Sequence, residues 1–353
     1  MSHQALRIID ANLNRSSEGL RLLEDMARFL LNDAAISQQL GAMRYSLAQY
    51  ALSLGIKLLS QRDTEGDVGT DIEGVSERQN IADMIRANAK RVEESLRVME
   101  ELAKLPDISG MLNSRDFERA RFALYNVERR LLSKILREEK KKKLTGLYVV
   151  LDTQALAGRD EVQVAGEIIR GGAKAIQLRD KQRSKGTVLP IAQKLQKLCA
   201  DSGVLFIIND HLDLALCSDA DGLHIGQDDL PLPAVRKELA VDKIVGCSAT
   251  MVSQAIRAEG EGADYIAVGS MFPTAAKADA ILVGPDTLKQ VRQAVSSLLV
   301  AIGGINEDNI EQVVAAGADS VAVIGAVLGK ENVKLATEQL VAKMDSARGQ
   351  CQK

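Results

Sequence analysis

Ile207-Ile208-Asn209-Asp210-His211 and, ten residues on, Asp221-Gly222-Leu223-His224-Ile225-Gly226-Gln227-Asp228-Asp229 decide how this chain is read. Val204 to Ile208 and Gly222 to Ile225 are short apolar runs that stop abruptly at amide and acidic side chains. Buried strands with polar carboxyl ends are the way parallel α/β enzymes present their chemistry. Asp210 and Asp229 stand nineteen positions apart, the length of one strand, one helix and the next strand, so they are expected on one rim. Hard oxygen ligands held this way suit Mg²⁺, which takes one or two carboxylates and completes its shell with phosphate and water. Either acid alone reads equally well as a helix N-cap. As a pair they favour the metal.

Working outward, strand and helix signals alternate eight times from Leu144 onward. The expected strands are Gly146–Leu151, Ala175–Leu178, Leu205–Ile208, Gly222–Ile225, Ile244–Ser248, Tyr265–Gly269, Leu299–Ile302 and Ser320–Val323. Helices such as Val162–Arg170, Val188–Ala200, Met251–Glu259 and Asn306–Ala315 separate them. Gly172-Ala173, Gly262-Ala263 and Gly317-Ala318 close helices just before the next strand, as C-cap glycines do. Eight such units in about 200 residues make a compact (β/α)8 TIM barrel, with a doubly wound open sheet as the alternative.

Residues 4 to about 137 lack strand signals. Ile9, Leu13, Leu20, Leu23, Ala27 and Leu30 mark one face of a helix. The stretch from Ala11 to Arg28 recurs from Ala87 to Lys104, with Asn, Arg, Glu, Leu, Arg and Glu at matching offsets. Such a repeat points to a pseudo-symmetric helical bundle. Its charges fall at i,i+3 and i,i+4, which fits intrahelical pairing and leaves a polar site between the repeat helices as the other reading. Ser60 to Asp71 is a long polar loop, a weak functional hint. A last helix is expected from Asp116 to Arg137, followed by Glu138-Glu139-Lys140-Lys141-Lys142-Lys143 as a charged linker. The expected architecture is therefore α/β: an all-α bundle over 1–137, the linker at 138–143, and the barrel over 144–353.

The chain carries 45 basic and 48 acidic residues, a net charge of −3, and only 3% aromatics with no Trp, against a nucleic-acid or anionic-membrane partner. Cys199, Cys217 and Cys247 sit in apolar runs without CxxC spacing, and three histidines are too few and scattered for zinc. Met1-Ser2-His3-Gln4 shows no leader pattern and no apolar run spans a bilayer, so a soluble, cytoplasmic protein acting on small molecules is expected. A homo-oligomer is compatible with the sequence.

The strand ends supply the remaining chemistry. In Gln177-Leu178-Arg179-Asp180-Lys181, alternation turns Gln177, Arg179 and Lys181 one way, an oxyanion clamp suited to a diphosphate. Ser248 puts a hydroxyl after strand five, and Gly269 to Lys277 ends in another cation. Ile302-Gly303-Gly304-Ile305-Asn306 and Val323-Ile324-Gly325-Ala326 open onto helices as barrel phosphate cups do.

This ordered set, QLRDK, ND, DGLHIGQDD, GCS, FPTAAK, GGI and VAVIGA, resembles the thiamine-phosphate synthase family from about Leu144 to Met344. The resemblance implies Mg²⁺-dependent joining of hydroxymethylpyrimidine diphosphate to a thiazole phosphate with loss of diphosphate. It implies pyrimidine diphosphate binding by Gln177, Leu178, Arg179, Asp180, Lys181, Asn209, Ser248 and Lys277, with Arg179, Lys181, Lys277 and Ser248 acting in catalysis. It implies Mg²⁺ on Asp210 and Asp229, and thiazole phosphate on Thr274, Ala275, Ala276, Gly304, Ile324 and Gly325. Two positions depart from the family pattern: Ala276 stands where a threonine is usual, and Gly325 where a serine is frequent. The N-terminal half resembles an extension fused to this enzyme in some bacteria and suggested to be a pyrimidine-phosphate kinase. No Walker-type glycine loop lies within residues 1–140, so an interaction module is an equal expectation. Alternative functions are a thiazole isomerase on the same barrel and a catalytically silent thiamine-precursor binding protein.

Overall fold

The computed structural model describes residues 3–60, 78–274 and 280–351, and the side chains as far as residue 349. Most of the loop at 60–71, together with Ala275, Ala276 and Lys277, lies outside the described residues. Cα packing divides the chain into two compact units, Met1–Leu136 and Arg137–Lys353.

The first unit holds α1 (His3–Asp25), a π-helical turn (Met26–Leu30), α2 (Ala34–Leu59), α3 (Ile81–Leu102) and the first turns of α4 (Ser114–Leu144). Asp33 and Asn80 cap α2 and α3, each side chain accepting an N–H three residues on at 2.9 Å. The core runs through Ile9, Leu20, Leu23, Ile36, Leu40, Ile85, Leu96 and Met99, all fully buried. Equivalent positions of the sequence repeat carry equivalent bonds. The Nδ2 of Asn12 donates to the Ile8 carbonyl, and that of Asn88 to the Met84 carbonyl, both at 2.8 Å. Glu24 on α1 binds Arg44 on α2 at 3.0 Å, and Glu100 on α3 binds Arg121 on α4 at 3.0 Å. The repeat helices meet closely: a Cβ added at Gly19 would lie 2.5 Å from Cγ2 of Val92. The charges of the repeat therefore pair both along a helix and between helices.

The run at 138–143, expected as a linker, is the end of α4, which continues to Leu144. Helix-forming Glu and Lys give the backbone no reason to stop there. Lys140 pairs with Asp242 at 3.0 Å and Asp221 at 3.2 Å, and Arg137 donates to Asp264 at 3.1 Å. Leu144 is fully buried among residues of the barrel interior.

The second unit is a closed barrel of eight parallel strands in sequence order. They are β1 (Leu147–Asp152), β2 (Ala175–Arg179), β3 (Leu205–Asn209), β4 (Gly222–Ile225), β5 (Ile244–Ala249), β6 (Tyr265–Val268), β7 (Leu298–Ile302) and β8 (Ser320–Val323). Around them lie α5 (Glu161–Arg170), α6 (Lys185–Ser202), α7 (Leu212–Cys217), α8 (Leu232–Glu238), α9 (Val252–Gly260), α10 (Gly284–Ala294), α11 (Ile310–Ala315), α12 (Gly325–Leu328) and α13 (Val333–Cys351). Strand residues of one parity pack under the helices, as Val149, Ile176, Phe206 and Leu223 do. The other parity fills the interior, with Tyr148, Ala175, Ile207, Tyr265 and Val300. Gly172, Gly262 and Gly317 take φ of 94°, 93° and 101°, the left-handed helix stop expected of them. After β7 the chain does not enter a helix at Asn306. Asn306 and Asn309 bond each other's backbone neighbourhood instead, Asn309 Oδ1 accepting the Asn306 N–H at 2.8 Å, and α11 starts at Ile310.

Candidate active site

The carboxyl ends of the strands surround a cavity of about 620 Å³. Gln177, Arg179 and Lys181 line it, carried there by the strand parity of β2 and its continuation. Asn209, Asp210, Asp229, Ser248, Thr274, Gly304, Ile324 and Gly325 line it too, so residues from seven strand ends or their following loops converge. Leu178 and Asp180 do not reach it. Leu178 has the opposite parity and is buried in the helix–strand core. Asp180 is buried in its own turn, accepting the N–H groups of Gln182 at 3.0 Å and Arg183 at 2.9 Å. Any role of these two residues in the site passes through the backbone. Ala275, Ala276 and Lys277 lie outside the described residues.

Electrostatics arrange the cations. Arg179 donates to Asp152, a 5% exposed carboxylate at the end of β1 that also accepts the Gln154 N–H at 3.0 Å. The guanidinium is thus aimed by an acid that the sequence reading did not single out. Lys181 donates to Asp210. Asp210 leaves β3 with φ of 61°, a left-handed backbone that Asp tolerates better than most residues, and its N–H donates to the His224 carbonyl at 2.8 Å. Asp229 accepts the Gly226 N–H at 2.7 Å. Burial, and after it the neighbouring Asp210 carboxyl, hold Asp229 above the usual carboxylate range, against the pull of the Gly226 N–H and of Lys181. Two carboxyls that repel each other beside one lysine are a donor set short of positive charge. Among the described residues no cluster of three or more His, Cys, Asp or Glu is arranged to hold a metal. The pair therefore fits a hard divalent ion that draws further oxygens from a ligand and water, and does not fit an all-protein cage.

On the opposite side the backbone takes over. A Cβ at Gly304, whose φ is 66°, would lie 2.5 Å from the Pro273 carbonyl oxygen, so only glycine lets these two loops touch. The first N–H groups of α12, from Gly325 and Ala326, have no partner within the helix and face an anion readily. At Gly325 an added Cβ would meet nothing within 4 Å.

The interior residues Tyr148, His224 and Tyr265, which line the cavity, were missed by sequence reasoning. Parity was the available signal: Tyr148 and Tyr265 are inward positions of β1 and β6. Gln177 Nε2 donates to the Tyr148 hydroxyl at 2.7 Å, and His224 Nε2 lies 3.0 Å from Ser248 Oγ.

The family model described as thiamine monophosphate synthase matches residues 147–327, and that of the ThiD2 family matches residues 7–130. A thiamine-phosphate synthase of Thermosynechococcus vestitus is 37% identical over 341 residues, covering 96% of this chain and 94% of its own. One from Shouchella clausii is 48% identical over 204 residues, 57% of this chain but 97% of its own length. The solved thiamine phosphate pyrophosphorylase of Pyrococcus furiosus superposes with a TM-score of 0.55 at 38% identity, covering 59% of this chain and 98% of that one. The barrel thus matches whole proteins, and the two-part chain matches another whole protein. With the strand-end rim and these matches together, the chain belongs to the thiamine-phosphate synthase family, enzymes of thiamine biosynthesis.

Proposed function

We propose that the cavity joins hydroxymethylpyrimidine diphosphate to a thiazole phosphate, releasing diphosphate and forming thiamine phosphate, with Mg²⁺ held by Asp210 and Asp229. The observation that carries the reading is the Asp210–Asp229 pair beside Lys181 and Arg179, across one cavity from the open backbone of Gly304 and Gly325. When bound, Mg²⁺ supplies positive charge to the departing diphosphate oxygens. Arg179, held by Asp152, and Lys181 give the same oxygens charge-assisted hydrogen bonds, which strengthen as the leaving charge grows. The C–O bond to diphosphate breaks with its electron pair on oxygen, and the thiazole nitrogen lone pair forms the new C–N bond. No proton needs to move. Asn209, Gln177 and Ser248 orient the pyrimidine. Gly304, Ile324, Gly325 and Thr274 take the thiazole phosphate, and Lys277, Ala275 and Ala276 keep the substrate roles the resemblance gives them. A cytoplasmic location accords with the free cysteines Cys199, Cys217 and Cys247.

The test is turnover of the two substrates across a Mg²⁺ titration. Asp210→Asn and Asp229→Asn are expected to lose turnover and to need more Mg²⁺ for what remains, with the fold intact. Near-normal activity of either at low Mg²⁺ would sink the metal assignment.

A further inference from the structure

The outer face of α3 is what a helix at a protein surface ordinarily shows, with Arg86, Lys90, Glu94, Arg97 and Glu101 exposed along it. The outer face of α2 is different. From Ala34 to Leu59 that helix carries two charged residues, Arg44 and Lys57, and no acid. Arg44 is held by Glu24 on α1 at 3.0 Å. What stands exposed instead is Gln38, Ala42, Tyr45, Gln49, Leu52, Ile56 and Leu59. Tyr45 is 69% exposed, Leu52 72%, Ile56 83% and Leu59 63%. A helix that is apolar on its outer as well as its inner side is normally covered on both.

The seven positions follow one another by four, three, four, three, four and three residues. This is the alternation by which one helix packs along another, knobs into holes. Ala42, Gln49 and Ile56 make one set of inner positions, and Gln38, Tyr45, Leu52 and Leu59 make the other. The helix packs into its own unit through Ile36, Leu40, Leu47, Leu54 and Leu58, so the exposed seam is a second and separate stripe. At Gly55 the backbone leaves helical values, with φ of 39° and ψ of −118°. The regular seam therefore runs from Gln38 to Leu52, and Ile56 and Leu59 extend it past a bend.

Charge says what the seam accepts. Residues flanking such a seam set partner choice by attraction and repulsion. Here they are Gln39, Ser46 and Ser53 on one side and Gly41, Ala48 and Gly55 on the other, none of them charged. Nothing in that set repels an identical helix, and nothing in it selects a charged foreign one. A helix lying on a lipid surface would carry several cations beside its apolar stripe, and α2 has only Lys57 exposed there. Gln49 can donate to and accept from its own copy, as a lone inner amide does where it fixes the register of paired helices at some cost in stability. Tyr45, Leu52, Ile56 and Leu59 together expose on the order of 500 Å², the upper range for an unpartnered monomer. Two facing copies would cover about 1,000 Å² from these side chains alone, the lower bound for a specific interface.

We propose that this face of α2 is the contact between two copies of the chain, the two α2 helices packing side by side along the seam from Gln38 to Leu59. The contact is isologous, each copy offering the other the same stripe.

Sedimentation of the full chain across the micromolar range tests this. The mass is expected to move from one chain toward two as concentration rises. Leu52→Glu puts two like charges into the seam and should raise the dissociation constant about tenfold or more, with helix content unchanged because the residue is exposed in the single chain. Gln49→Leu removes the inner amide and should lower that constant about fivefold, a gain that a folding defect would not produce. If Leu52→Glu loses helix content, Gln49→Leu decides alone. A single-chain mass throughout would overturn the proposal, as would a pair whose dissociation constant ignores both substitutions. A single-chain mass together with binding to phosphatidylserine vesicles that Leu52→Glu abolishes would overturn it in favour of a lipid surface.

Discussion

The two units bury polar groups for opposite ends. In the barrel, Gln177, Tyr148, Tyr265, His224 and Ser248 satisfy one another along a line whose two ends open on the cavity. In the helical unit, Asn12 and Asn88 bond their own helices, and the Glu–Arg pairs tie neighbouring helices together. Among the described residues Ser16 Oγ and Glu93 Oε1 are buried without a satisfying hydrogen bond, Glu93 lying beside the like charge of Glu128. An interior polar group linked into a chain can report a ligand's demands from wall to wall. One that closes on its own helix holds that helix in shape. The barrel's line opens on a cavity at both ends, whereas the amide bonds of Asn12 and Asn88 stay within their helices.

The largest expected contrast is catalytic. Asp210→Asn should lower kcat at least a hundredfold, as loss of groups that stabilise transition-state charge does. Glu93→Gln in the helical unit should leave kcat within about twofold, since the residues that line the cavity all belong to the barrel unit. A synthase assay on both variants reads this directly, and a large loss in Glu93→Gln would erase the distinction between the units.

The next contrast is of pH and has opposite signs. Burial lowers His224 from 6.5 to about 4, so unfolding takes up a proton between these values. Its contribution is fully present above pH 6.5 and is lost as pH falls toward 4, about 3 kcal/mol in all. Glu93 runs the other way. Burial first, and then the nearby Glu128, raise it from 4.5 to about 7, so stability is present below 4.5 and is lost as pH rises through 7. Calorimetry should resolve a barrel transition that weakens as pH falls from 6.5 toward 4 and a helical transition that weakens as pH rises from 4.5 toward 7. Glu93→Gln should raise the helical Tm at pH 8 and leave the barrel transition in place. The same pH trend in both transitions would refute the two assignments.

A fragment test sharpens where the barrel begins. Residues 137–353 should fold and keep synthase activity, since the Shouchella clausii relative is matched over 97% of its own length by only 57% of this chain. A fragment starting at Leu144 should be less stable by about 1–3 kcal/mol. It loses Arg137 from Asp264 and Lys140 from Asp242, and it puts a charged amino terminus on a leucine buried in the barrel interior. Equal denaturation midpoints for the two fragments would show that the end of α4 contributes nothing to the barrel.

The smallest effect concerns Gly325. A serine there has room, because a Cβ meets nothing within 4 Å, and its hydroxyl would add a donor beside the first N–H groups of α12. Gly325→Ser should lower the KM for thiazole phosphate about fivefold and leave that for the pyrimidine diphosphate unchanged. No change in either constant would mean that this end of the cavity does not hold the phosphate.

Much of the barrel was legible in the chain. The eight strands fall within one residue of their expected bounds, because buried apolar runs broken by glycine stops leave little freedom. The rim residues were legible for the same reason: they are where the apolar runs end. What escaped lay inside the runs. Tyr148 and Tyr265 look like ordinary strand residues until the barrel closes and their parity turns them toward each other. The pairing of Arg179 with Asp152 depends on neighbouring strands 27 residues apart, a register that no local pattern encodes. The end of α4 was misread because a run of like charges signals solvent locally, whereas its partners Asp221, Asp242 and Asp264 arrive about a hundred residues later.

The matching bonds of Glu24 with Arg44 and of Glu100 with Arg121 have a consequence for how the helical unit comes together. Each joins two consecutive helices into a hairpin, and one hairpin alone would leave its inner face wet. The unit is in effect a dimer written on a single chain. Tethering replaces a bimolecular encounter with an intramolecular one at an effective concentration on the order of millimolar, so dilution does not part the halves. The two copies need not be identical, and they differ where they meet: Gly19, against Val92, occupies the position matched by Ser95.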